Sequence, residues 1–135
     1  LDRYAPTADV VFAQHNWPTW GNETIRRYLR QQRDLYKHLH DQTVRLMSHG
    51  LTGIEAAEAM TLPASLAEPW ANHGFYGTIS HNVKSIVQFY LGWYDGNPAH
   101  LHALPPEQVA PRYVEYMGGA DAVLARARAD YDRGE

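Results

Sequence analysis

The first hydrophobic pattern along the chain is a short run typical of a β-strand. Residues 8–14 read ADVVFAQ, with two adjacent valines before Phe12, and this run predicts a strand. Residues 15–21 are not expected to continue any regular element. A lone strand has no partner, and even a two-stranded hairpin is marginal in water. We therefore predict that this strand belongs to a sheet outside the chain, which would then be part of a longer protein.

A long helical pattern follows the strand. We predict a helix over residues 23–48, with Asn22 as its N-cap and Gly50 just after its end. The apolar positions at helical spacing are Ile25, Tyr28, Leu29, Leu35, Tyr36, Leu39, Val44, Leu46 and Met47. Such a helix would be about 39 Å long, which is close to the diameter of a domain of this length. We expect it to form a dimer interface as well as part of the core.

A shorter helix is marked by its start signal. Thr52 and Glu55 have the spacing of a capping box, in which each side chain bonds to the backbone N–H of the other residue. The helix is expected to end near Met60, and a further helical turn is expected through Leu66.

The second half of the chain predicts three more helices. They cover residues 78–94, 105–117 and 120–131, and the first of them begins at Thr78 or Ser80. The prolines at the start of the second are tolerated in a first helical turn. The sequence therefore predicts an all-α, multi-helix fold preceded by one terminal strand.

Composition narrows the possible classes of protein. The 135 residues are 44% hydrophobic and 20% charged, as in one folded domain. A net charge of -3 gives no electrostatic grip on nucleic acid, and the absence of cysteine excludes disulfides and thiolate zinc sites. We expect no membrane span and see no signal peptide. The compartment stays open.

Two histidines are candidates for chemistry. His15 follows the predicted strand, where a side chain can be aimed at a cleft, so it is either a zinc ligand or a packed histidine bonded to backbone. His81 and Asn82 lie at the start of a predicted helix, whose free N–H groups favour anions. His81 is therefore either a general acid or an exposed residue of a capping segment.

Other patterns carry weaker signals. His38 and His40 fall on opposite faces of a helix and cannot chelate one metal, whereas His100 and His102 in a predicted loop are more typical of a solvated segment. Residues 51–66 have the rhythm of a helix-turn-helix. They contain no Lys or Arg for phosphate contacts, so DNA binding is not predicted.

Several long strings resemble a known family. They are FAQHNWPTWGN (12–22), QRDLYKHLHDQTVRL (32–46), FYGTISHNVKSIVQFYLGWYDGNPAHLHALPP (75–106) and RYVEYMGGADAVLARAR (112–128). In this order they resemble the alkylsulfatases of the metallo-β-lactamase superfamily, which hydrolyse sulfate esters such as dodecyl sulfate. The resemblance covers nearly the whole chain.

The resemblance implies a division of the chain. Residues 1–21 would be the C-terminal end of a metallo-β-lactamase catalytic domain of αββα architecture, and residues 22–135 a helical dimerisation domain. The H-x-H-x-D-H metal motif and the acidic ligands of the catalytic domain are absent from the sequence. The isolated chain is therefore not expected to hydrolyse anything, and it would supply a homodimer interface and the rim of an active site.

The resemblance also assigns roles to individual residues. His15 corresponds to the last zinc-ligand histidine, followed by Asn16 where many relatives have a second histidine. His81 would be a proton donor or a substrate contact, and Tyr76 and Asn82 would contact an alkyl sulfate. The implied cofactor is a pair of zinc ions completed by the absent domain. Two alternatives remain open: a stand-alone helical interaction module, and a metallo-β-lactamase-fold hydrolase of another ester.

Overall fold

The computed structural model describes residues 3–135, and the first two residues of the expected catalytic segment 1–21 lie outside that range. The chain divides into two compact units, Leu1–Asp95 and Gly96–Glu135. The expected all-α character is confirmed, because helices dominate both units and the strands are confined to the N-terminal segment.

The N-terminal segment forms a hairpin instead of the expected lone strand. Strand β1 (Val10–Ala13) pairs antiparallel with β2 (Asn16–Trp20), with an irregular register between Val11 and Ala13. The prediction that residues 15–21 form no regular element was therefore wrong. Pro18 is compatible with β2, because each strand of a two-stranded sheet has an outer edge where the missing N–H is not needed.

Helix α1 (Asn22–Ser48) matches its predicted span but begins differently. Gly21 occupies the N-cap position with a φ of 83°, a conformation that favours glycine, so the prediction that Asn22 is the N-cap was wrong. The Asn22 side chain instead donates to the carbonyls of Ala5 (2.6 Å) and Ala8 (3.2 Å). Asn22 thereby ties the 3-10 turn Ala5–Thr7 to the start of the helix.

The core of the first unit lies between three helices. Helix α2 (Gly53–Ala59) packs closely on α4 (Ile79–Leu91), and both pack on α1, with α3 (Ala64–Ala67) and a 3-10 turn (Trp70–Asn72) on the path between them. The buried apolar side chains of these helices are Ile25, Leu35, Leu39, Leu46, Ala56, Ala57 and Val83. Helix α4 ends at Leu91, three residues earlier than predicted, and is followed by Gly92 with a φ of 80°.

The apolar stripe of α1 is used mainly inside its own unit. Ile25, Leu35, Leu39 and Leu46 are buried, and Tyr36 is the one exposed large hydrophobic side chain of α1. The long stripe that suggested a dimer interface on this helix is therefore explained by core packing.

The capping box of α2 is confirmed and gives a stability prediction. The Glu55 N–H donates to the Thr52 hydroxyl, and the Glu55 carboxylate accepts from the Thr52 N–H at 2.8 Å. We expect Thr52→Ala to lower the free energy of unfolding by about 1 kcal/mol, the usual cost of losing an N-cap. Urea denaturation monitored by circular dichroism measures it. Ser48→Ala is the control, because the Ser48 hydroxyl is exposed and bonds only within α1, to Val44.

The same box predicts a pH dependence. The backbone N–H of Thr52, and then its hydroxyl, hold the pKa of Glu55 below its usual value. Because the folded pKa is the lower one, this stabilisation is present above the unfolded pKa and is lost as pH falls through the folded pKa. The stability difference between the wild type and Thr52→Ala should therefore shrink in acid, and a constant difference would contradict this assignment.

The second unit contains helices α5 (Pro98–Leu101), α6 (Pro106–Tyr116) and α7 (Ala120–Arg133). The predicted spans of α6 and α7 are confirmed to within two residues, and α5 was not predicted. Within residues 96–135 no side chain is buried. Its exposed large hydrophobic side chains are Leu101, Leu104, Tyr113, Val114, Tyr116, Met117, Leu124 and Tyr131. A contiguous set of exposed apolar side chains is typical of a surface that binds another surface.

Among the helices of residues 3–135, none combines the length and the apolar character needed to cross a bilayer.

Candidate active-site rim

One cleft in the first unit collects most of the predicted site residues. It has a volume of about 840 Å³ and lies between the β-hairpin turn, α1, the 67–78 loop and the start of α4. The polar residues of its lining include His15, Tyr28, Gln32, Tyr76, Ser80 and Asn82. The structure therefore brings His15, Tyr76 and Asn82 together, although Tyr76 and Asn82 lie more than sixty positions from His15 in the sequence.

Two aromatic rings stack on each other in this cleft. The imidazole of His15 stacks on the phenol ring of Tyr76, with ring centroids 3.7 Å apart and planes 12° from parallel. His15 is otherwise exposed at the turn of the hairpin. The stack therefore restrains the orientation of an imidazole that has no other ring neighbour among the described residues.

Tyr76 reaches His15 because the 67–78 loop is tightly folded. The ring of His73 bonds to the carbonyl of Ala67 at 3.1 Å. A Cβ on Gly74 would lie 3.2 Å from the carbonyl oxygen of Gly77 and 3.3 Å from the side chain of Thr78, so the chain closes on itself at a residue without a side chain. Tyr76 lies at the tip between these two glycines.

At the start of α4, the side chains of His81 and Asn82 lie in different surroundings. The hydroxyl of Thr78 caps the helix by accepting from the backbone N–H of His81 at 3.3 Å. Ser80 and Asn82 line the cleft, whereas the side chain of His81 is exposed and lies outside the lining. The structure therefore places Asn82, and not His81, beside His15 and Tyr76.

The histidines of α1 bond to different segments of the first unit. The His38 ring bonds to the carbonyl of Thr61 at 3.1 Å, while the His40 ring bonds to the hydroxyl of Tyr90 at 2.7 Å and to Asp41 at 3.1 Å. The hydrogen bond from Lys37, followed by that from His40, lowers the pKa of Asp41. His100 lies in α5. The two members of the first pair thus have different partners, as their positions on opposite faces predicted.

The residues described here do not form a metal site by themselves. No group of three or more His, Asp or Glu side chains within residues 3–135 could hold a metal ion. A zinc site needs three or four protein ligands, so His15 could supply only one ligand to a site completed elsewhere.

Two cleft residues were missed by the sequence analysis. Gln32 donates to the side chain of Asn72 (2.8 Å) and to the carbonyl of Ala71 (2.9 Å). The sequence held one signal for Gln32, which is a polar residue between Leu29 and Tyr36 on the apolar stripe of α1. Asn72 carries no comparable signal.

Comparison with known proteins decides the family. Residues 52–135 match the alkyl sulfatase dimerisation family, more than half of the chain. The chain belongs to this family. The family match includes Tyr76, His81, Asn82 and the whole second unit, but it begins after α1 and does not include His15.

Individual relatives of this family member are similar to it over nearly the whole chain, including the residues before position 52. An alkyl/aryl-sulfatase of Saccharomyces cerevisiae is 54% identical over 132 residues, which is 98% of the chain and 20% of the relative. A linear primary-alkylsulfatase of Pseudomonas sp. is 47% identical over 135 residues, covering 100% of the chain and 20% of the relative. The chain thus spans about a fifth of the length of the curated relatives it matches.

A solved structure supports the fold of this family member. The stereoselective inverting sec-alkylsulfatase from Pseudomonas sp. superposes with a TM-score of 0.84 at 46% identity, covering 98% of the chain and 21% of that protein. The fold of the chain therefore matches about a fifth of a solved alkylsulfatase structure.

Proposed function

We propose that this chain is the dimerisation part and active-site rim of a zinc-dependent alkylsulfatase, which hydrolyses alkyl sulfate esters to an alcohol and sulfate. The observation that carries the proposal is the similarity of 47–54% identity, over nearly all of the chain, to proteins named as alkylsulfatases. The cleft that joins His15 to Tyr76 and Asn82 supports it, because these residues come from segments on both sides of residue 21.

We infer roles for the cleft residues from their chemistry. His15 would provide one ligand to a zinc centre completed by a metallo-β-lactamase domain of the parent protein. Zinc bound there would lower the pKa of a water and stabilise developing negative charge. The hydroxyl of Tyr76 and the amide of Asn82 are hydrogen-bond donors that could orient sulfate oxygens. An alkoxide is a poor leaving group, so a proton donor at the alkyl oxygen is needed, and His81 is our candidate for it.

The test of this function uses the full-length parent protein. We expect purified enzyme to contain zinc and to release inorganic sulfate from dodecyl sulfate, measured by ion chromatography. A carboxylic ester such as p-nitrophenyl acetate serves as the comparison substrate. Sulfate release faster than ester hydrolysis supports the proposal, whereas the reverse preference would assign the parent to hydrolysis of another ester. Inactivity on both substrates would favour an interaction module.

We further infer that the second unit pairs with a second copy of the chain. Its residues 96–135 bury no side chain, and its large apolar side chains are exposed, including Tyr116 at 90% and Tyr131 at 83%. All of these residues lie inside the dimerisation-family match. A two-fold pair would bury the same patch on each copy, which is the usual arrangement in homodimers.

Tyr116 is the most exposed aromatic side chain of the second unit. We expect Tyr116→Ala to weaken dimerisation of the chain about 30-fold, because buried tyrosines at interface centres typically contribute about 2 kcal/mol or more. Sedimentation velocity over a concentration series measures the Kd. Glu115→Ala is the matched control, since it removes a charged side chain from the position directly before Tyr116 in α6. An equal loss in both variants would contradict a tyrosine-centred interface.

A further inference from the structure

The amide side chain of Asn72 in the 67–78 loop is buried, and both its oxygen and its nitrogen form hydrogen bonds. Asn72 is 8% exposed, the lowest value of any polar residue outside α1 in the described part of the chain. Its Oδ1 accepts from Nε2 of Gln32 at 2.8 Å, and its Nδ2 donates to the carbonyl of Leu66 at 2.9 Å. Buried amides are retained where such bonds define a single arrangement, because leaving one unpaired is costly.

Gln32 connects this amide to the long helix. Its Nε2 donates to Asn72 and also to the backbone carbonyl of Ala71 at 2.9 Å. One side chain of α1 therefore bonds to two consecutive residues of the 3-10 turn, while the side chain of Asn72 bonds to the carbonyl of Leu66 within α3. Together the bonds join α1 to both ends of the segment 66–72.

The segment between Asn72 and Tyr76 of the cleft is short. Only three residues lie between Asn72 and Tyr76. Within them, the His73 N–H donates to Trp70 (3.1 Å) and the Phe75 N–H to His73 (2.9 Å). A Cβ at Gly74 would lie 3.2 Å from the carbonyl oxygen of Gly77, so the loop is closely packed on itself beside Tyr76. We therefore expect a displacement of Asn72 to move the ring of Tyr76.

We propose that Gln32 and Asn72 are positioning residues: their hydrogen bonds hold the 67–78 loop so that Tyr76 stacks on His15. Tyr76 contacts the imidazole directly, at a centroid distance of 3.7 Å, and the two amides act through it. The stack and both amides lie within this chain, so the position of Tyr76 can be measured whether or not the parent protein binds zinc or hydrolyses sulfate esters.

The experiment reads the stack without using activity. In ¹H–¹³C NMR spectra of the 135-residue chain, the ring current of Tyr76 shifts the His15 imidazole protons upfield, and a His15→Gln variant assigns them. The Tyr76→Leu variant gives the chemical shifts of the His15 imidazole protons in the absence of the stacked ring. We expect Gln32→Leu and Asn72→Ala each to move the His15 signals most of the way to the Tyr76→Leu position, while circular dichroism remains that of a folded helical protein.

A matched control separates positioning from general loss of stability. Gln42→Leu removes an amide of the same helix that accepts only from the exposed Arg45, and it should leave the His15 signals in place. Gln32→Leu decides the case if Asn72→Ala does not fold, because it removes two donated bonds and leaves Asn72 intact. Unchanged His15 signals in Gln32→Leu, or an equal change in Gln42→Leu, would overturn the proposal.

Discussion

His15→Ala in the full-length parent enzyme is expected to lower zinc content and sulfatase activity together. A catalytic zinc with three protein ligands loses both affinity and geometry when one ligand is removed. Loss of an outer-shell partner alone costs about 10–100-fold in metal affinity or activity, so removal of a ligand should exceed about 100-fold. Metal analysis by inductively coupled plasma mass spectrometry and a sulfate-release assay measure the two effects on the same sample.

The control for His15 is a histidine of the same chain with a different role. The His38 ring bonds to the carbonyl of Thr61, outside the cleft lining, so His38→Ala should retain zinc and most activity. Zinc content that stays at the wild-type level in His15→Ala would remove His15 from the metal site. The stack on Tyr76 would then be its main structural role.

His81→Ala is expected to slow hydrolysis of alkyl sulfates by about 10²–10⁴-fold while zinc stays bound, the usual range for loss of a general acid. His81 lies between Ser80 and Asn82 in the sequence, and both of these neighbours line the cleft. Its own side chain is exposed and lies outside the cleft lining in this chain.

The leaving group distinguishes proton donation from other roles of His81. An aryl sulfate releases a phenolate, which needs little protonation, so His81→Ala should affect it far less than dodecyl sulfate. Thr78→Ala is the control, because it removes the hydroxyl that caps α4 at the His81 N–H without touching the imidazole. Equal losses on alkyl and aryl substrates, or a loss of zinc, would contradict the proton-donor role and favour a capping or binding role.

Local signals predicted the helices well. The stripe of α1 and the Thr52–Glu55 box depend on residues three or four apart, and both are found as predicted. The β-hairpin was missed because its second strand carries Pro18 and two exposed tryptophans, a pattern that lacks the alternation of a half-buried strand. Asn22 was misassigned because its bonds go to distant carbonyls, at Ala5 and Ala8, instead of to its own helix.

The cleft could be predicted only in part. His15, Tyr76 and Asn82 were named from the sequence and its resemblance to alkylsulfatases, but their meeting depends on a loop fold fixed by Gln32 and Asn72. Asn82 lines the cleft and His81 does not, because successive residues of a helix are rotated by about 100°. The sequence does not show which of the two directions faces the cleft. The division of the chain at residue 21 stays a prediction.

The role of the two apolar surfaces also required the structure. Sequence periodicity shows that a helix face is apolar but not what covers it, so the stripe of α1 suggested an interface. That stripe is buried within the first unit, whereas the apolar side chains of residues 96–135 are exposed. We therefore propose the second unit as the dimer surface, while the prediction of an interface on α1 stays a prediction.

The mass of the chain in solution tests this account most directly. Light scattering coupled to size exclusion at micromolar concentration should give twice the chain mass of 15.4 kDa, since a unit with no buried side chain needs a partner surface. A mass of 15.4 kDa at every concentration, with the helices of residues 96–135 still folded by NMR, would contradict the proposed dimer.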